Sequence, residues 1–184
     1  VKIIARLGKS RKKFSFNKIP LQDSVLFSTF GGATGTLKNR ESYDMEKKLQ
    51  EIASHFALEG GIAAIDSLGE GFINDTFIIR TEGEAPDYIL QRKNKNIFPD
   101  VPAMMDNIRR VTDHIRRGVI AAGGDPRREV MTVVPTREDA LYHIDGDGEY
   151  WAVSVFIDDT VAYNKADSPE LARKGGEGIG KFQA

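Results

Sequence analysis

Residues 69–80 read GEGFINDTFIIR, two glycines one residue apart followed by a run that turns toward β-branched and aromatic side chains. Glycine lets the main chain approach a ligand with no Cβ in the way, so a turn of this kind can fold backbone N–H groups over nucleotide phosphates. The same spacing also makes a plain hairpin, because Asn74 stands where a G-x-G-x-x-G loop has its third glycine. No G-x-x-x-x-G-K-S/T run occurs, which excludes a phosphate-loop ATPase.

Working outward, IAAIDSL (62–68), FINDTFIIR (72–80) and YILQRKN (88–94) read as three strands, parted by the glycine turn and by TEGEAPD. A helix follows: Asp100 suits its N-cap, Pro102 its first turn, and Gly118 comes after the last periodic residue. Met104, Ile108, Val111 and Ile115 form its apolar stripe and are expected to meet the sheet. EVMTVV, ALYHI and EYWAVSVFI supply two short strands and a longer one, with DGDG between the last two. Upstream, MEKKLQEIASHF places Leu49, Ile52 and Phe56 on one face of a short helix. Downstream, Ser168 caps a further helix, with Pro169 and Glu170 in its first turn. The pattern predicts an α+β fold, an antiparallel sheet of five to six strands with a packed helix.

The 184 residues suffice for one core, and 40% hydrophobic with 29% charged residues is the composition of a soluble globular protein. No stretch nears the ~18 uninterrupted apolar residues of a membrane span. Cysteine is absent, which removes disulfides and thiolate–metal sites and makes the cytoplasm the expected compartment. Charge is uneven: residues 1–44 carry nine basic and three acidic groups, the remainder 17 and 24. The first segment shows no sustained period and reads as a basic tail or non-native extension, with Met45 a candidate start. Neither a membrane nor a nucleic acid is expected as a partner.

Taken in order, SHFALEG (54–60), GEGFINDTF (69–77), YILQRKN (88–94), NIFPDVPAMMDNIRRVTDHIR (96–116) and WAVSVFIDDTVAYN (151–164) resemble the N-terminal half of N-acetylhexosamine 1-kinases. These belong to the aminoglycoside phosphotransferase-like kinases, whose small lobe is protein-kinase-like. The resemblance covers about residues 48–184 and does not reach residues 1–44. It implies a small lobe over 45–157, then a connector and the first helix of a larger helical lobe over 158–184. The implied reaction is Mg²⁺-dependent transfer of the ATP γ-phosphoryl group to the anomeric hydroxyl of N-acetylglucosamine or N-acetylgalactosamine.

On the resemblance, Gly69, Gly71, Asn74, Asp75 and Thr76 lie over or near the phosphates. The third strand, with Gln91 and Arg92, occupies the place where related kinases put a phosphate-pairing lysine. Strand alternation sets Leu90 and Arg92 on one face against Ile89, Gln91 and Lys93 on the other, so only one of these sets can face the site. Adenine would sit against the main chain of Val155, Phe156, Ile157 and Asp158. The protein-kinase helix Glu has no counterpart, since Asp106 and Asp113 fall nearly opposite the stripe on a wheel of about 100° per residue. Asn107 is the polar helix residue expected to reach the site.

The HIDGDGEY run at 143–150 imitates a kinase catalytic loop and a calcium loop but has the full pattern of neither, and DGDG is good hairpin chemistry. His55, His114 and His143 have no metal-ligand spacing. The Asp that would orient the acceptor hydroxyl and the Asn and Asp that would hold Mg²⁺ match nothing in the sequence, so no catalytic or metal residue is assigned. The expectation is therefore a kinase fragment inactive by itself, its magnesium ligands in the missing C-terminal half. The alternatives are a non-catalytic nucleotide-binding or interaction module, or a kinase for another hydroxyl acceptor such as an aminoglycoside, choline or homoserine.

Overall fold

The computed structural model describes residues 3–6, 34–68, 73–163 and 165–183. They fall into two compact units, one of residues 31–157 and one that joins residues 158–184 to the start of the chain.

The larger unit opens with α1 (Thr34–Ser54), which begins 11 residues before Met45. Periodicity missed this half of the helix because Leu37–Leu49 is carried by propensity: Lys, Arg, Glu and Met recur there with no Gly or Pro and no apolar stripe. The stripe appears at Leu49, Ile52, Ala53 and Phe56, all buried.

Five antiparallel strand pairings build a six-stranded sheet. Its strands are β2 (Ile62–Ser67), β3 (Asp75–Thr81), β4 (Tyr88–Lys93), β5 (Val133–Val134), β6 (His143–Ile144) and β7 (Tyr150–Val155). The order is β2-β3-β4-β7-β5, with β6 also on β7. Strands β5 and β6 share one edge of β7, pairing with Val153–Ser154 and Tyr150–Trp151 respectively. The unit is thus α+β, with an antiparallel sheet at its centre.

Alternation along the strands gives the sheet two apolar faces. One receives α1, whose stripe packs on Ile79, Tyr88, Leu90, Trp151 and Val153. The other receives α2 (Val101–Ala121) through Val101 and Met105 against Ala152, with Ile108, Val133 and Tyr150 around them. Asp100 caps α2, its Oδ1 accepting from the N–H of Ala103 at 2.9 Å.

Two expectations for α2 need correction. Val111 is 38% exposed, because the helix buries Val101 and Met105 and leaves Met104, Ile108, Thr112 and Ile115 half-buried beside them. The helix also passes through Gly118 and ends near Gly123, whose φ of 72° is the left-handed turn that stops it. A helical glycine costs only about 1 kcal/mol, which the surrounding turns override. The Gly-Asp-Pro segment that follows starts a single helical turn, α3 (Pro126–Glu129), capped by Asp125.

In the smaller unit β1 (Ile3–Arg6) pairs antiparallel with β8 (Thr160–Tyr163), so part of the basic segment expected to be an unstructured tail is a strand. Residues 7–33 of that segment lie outside the described residues. Helix α4 (Pro169–Gln183) starts at Ser168, whose Oγ accepts from the N–H of Leu171 at 3.2 Å. Among the described residues no helix is long and apolar enough to cross a membrane.

Candidate anion-binding site

Strands β3 and β4 pair with Asp75 opposite Arg92 and Thr76 opposite Gln91, which divides the polar residues of this end of the sheet between its faces. On the α1 face Asp75 and Arg92 neutralise each other: Arg92 Nε donates to Asp75 Oδ2 at 2.6 Å, and a second guanidinium nitrogen approaches the same oxygen. Both side chains are about half exposed, so the pair is worth little in stability. Its main effect is to occupy the guanidinium.

The opposite face carries Lys93, only 9% exposed. Its Nζ donates to Gln91 Oε1 at 2.7 Å, Gln91 Nε2 donates to Thr76 Oγ1 at 3.1 Å, and Thr76 Oγ1 donates to the carbonyl of Asn74 at 3.4 Å. Asn74 is held in turn, its Oδ1 accepting from the N–H of Asn94 at 3.0 Å. Among the described residues no carboxylate pairs with Lys93. Burial alone pulls its amine down from 10.5 to about 8. At neutral pH it is still mostly an ammonium, with one neutral partner.

Lys93 lines a cavity of about 350 Å³ together with Ile73, Asp75, Arg92, Asn94, Lys95, Asn96 and Glu149. Lys95 is balanced by Glu149 at 2.8 Å. Three cations and two carboxylates therefore border the cavity; the carboxylates pair with Arg92 and Lys95, which leaves Lys93 with no carboxylate partner among the described residues. An anion placed there would gain a charge-assisted hydrogen bond without breaking an ion pair at that amine.

Gly69 and Gly71 lie outside the described residues. Asn74, Asp75, Thr76, Gln91 and Arg92 are brought together at one end of β3 and β4. Val155 and Phe156 lie at the other end, where Val155 is opposite Tyr88, about 16 Å along β4 from Lys93 at the usual strand rise. Their main-chain donors are engaged, Val155 N–H by the carbonyl of Thr132 at 2.9 Å and Phe156 N–H by that of Asp87 at 2.8 Å. Ile157 closes the larger unit and Asp158 opens the smaller one. Asn107 does not approach the cluster: it is exposed on the outward face of α2 with Arg110, Val111 and His114. Lys93 is the residue the sequence underrated. Its signal was the alternation that put it beside Gln91, on the face that α2 covers.

The DGDG hairpin is built around Asp145. Burial alone would raise its carboxyl, but hydrogen bonds from the Glu149 N–H, the Trp151 indole, Lys48 and the Asp147 N–H outweigh that and hold it down at about 2. This carboxylate is structural. No group of three His, Asp or Glu side chains suited to a metal ion occurs among the described residues. No family model matches the chain.

Proposed function

We propose that the larger unit is the nucleotide-holding lobe of an ATP-dependent phosphotransferase, with an N-acetylhexosamine anomeric hydroxyl as the acceptor. The observation that carries the nucleotide part is Lys93: a buried ammonium with no carboxylate partner, bordering a cavity at the end of the strand where the resemblance expects a phosphate-pairing cation. Arg92, already paired with Asp75, is the weaker candidate for that role. A polyphosphate suits the site chemically, since its oxygens supply the negative charge that the amine lacks. The described residues offer Mg²⁺ no comparable donor set, and no step is assigned to it. The acceptor rests on the sequence resemblance.

The test is a titration of the chain with ATP, followed through the amide signals of β3 and β4. Saturable shifts at residues 74–76 and 91–95 are expected, with Lys93→Met weakening binding about tenfold and Arg92→Met doing less. A flat titration up to about 1 mM, the upper end of ordinary substrate affinities, would overturn the reading.

A further inference from the structure

We propose that Gln91 and Thr76 form a positioning relay that ties the Lys93 ammonium to the Asn74 carbonyl, so that the orientation of the Asn74 peptide sets how strongly the amine meets an anion. The inference rests on the anion-binding reading of this cavity.

The direction of the hydrogen bonds carries it. The Thr76 hydroxyl has the Asn74 carbonyl as its acceptor in a long contact of 3.4 Å, which leaves the lone pairs of its oxygen to Gln91. That oxygen accepts from Gln91 Nε2, which fixes the amide and turns Oε1 toward Lys93. Reversal of the amide would set two N–H donors against the ammonium. The side chain of Asn74 is anchored to the N–H of Asn94, one residue beyond Lys93, so the turn and the amine are tied at both ends. A shift of the Asn74 peptide would therefore pass through two side chains to Lys93 without movement of either strand. Gln91 and Thr76 act through Lys93 and have no contact with the anion of their own.

The experiment uses the full chain, with inorganic tripolyphosphate as the probe and the Lys93 titration midpoint read by NMR of a labelled amine. Gln91→Leu is expected to weaken tripolyphosphate binding about tenfold and to lower the midpoint, because the ammonium loses its acceptor. Thr76→Val, which keeps Gln91 but releases its amide, is expected to move both readouts the same way by a smaller amount. Thr76→Ser is expected to restore them, and Gln91→Glu to raise the midpoint. Wild-type values of both readouts in Gln91→Leu and Thr76→Val would overturn the relay. Failure of the wild-type chain to bind tripolyphosphate would instead overturn the anion-binding reading, and with it the relay's role toward an anion.

Discussion

The imidazoles of His55 and His143 are stacked, with ring centroids 3.9 Å apart and planes inclined by 13°. The stack joins the residue just past α1 to β6, beside a seam in which the Arg137 N–H donates to the His55 carbonyl and the Ala57 N–H to that of Pro135. Burial, then the charge of His55, pulls His143 below its ordinary value, against the opposing pull of Asp145, Glu138 and Glu51. The folded chain therefore takes up a proton at His143 less readily than the unfolded chain does. Stability is expected to fall as pH drops below the ordinary histidine value of about 6.5. Urea midpoints at several pH values should show this fall, and His143→Gln should flatten it.

The lowered amine of Lys93 gives a second pH signature with the same sign. Between about 8 and 10.5 the unfolded chain holds a proton that the folded chain has lost, so stability rises with pH across that window. Below it, the buried charge costs on the order of 3 kcal/mol. Lys93→Met is expected to leave the melting temperature at pH 7 unchanged or higher while it weakens anion binding. Calorimetry of the two proteins at pH 7 checks the first half.

Asp145 gives the same sign in the acid range, but here it is the charged form that the fold stabilises, because its folded carboxyl lies at about 2 against an ordinary 3.8. Its contribution is complete above the ordinary value and is lost as pH falls through about 2. Asp145→Ala would strand the Trp151 indole N–H and two hairpin N–H groups around a side chain that is 5% exposed. A loss of about 3 kcal/mol in denaturant unfolding is expected.

Met105 and Val111 test the facing of α2. Met105→Ala should cost about 2–5 kcal/mol by opening space against Ala152, whereas Val111→Asn on the exposed side should stay within about 0.5 kcal/mol. A larger loss in Val111→Asn than in Met105→Ala would place the helix the other way round.

The sheet was legible in the sequence because β2, β3, β4 and β7 are runs of β-branched and aromatic residues bounded by Gly, Pro or Asp. The face of α1 was legible too, since Leu49, Ile52 and Phe56 keep helical spacing. The face of α2 was not: Met104, Met105 and Ile108 give two overlapping stripes, and only packing on Ala152 selects Met105. The candidate site was half legible. Asp75, Thr76, Gln91 and Arg92 could be gathered from strand pairing, but no local pattern reveals that Arg92 is already neutralised across the sheet while Lys93 is covered and uncompensated.

Strand β7 has neighbours on both flanks, β4 along its length and the two short strands in succession on the other side. Among the described residues strand β2 has one neighbour only, β3, so half of its main-chain groups are not held by the sheet. The edge strands β2, β5 and β6 are accordingly expected to open before the central β4 and β7, whose amide protons should exchange with solvent last. Lys93, whose strand is paired on both flanks, is therefore expected to be held by the part of the sheet that opens late.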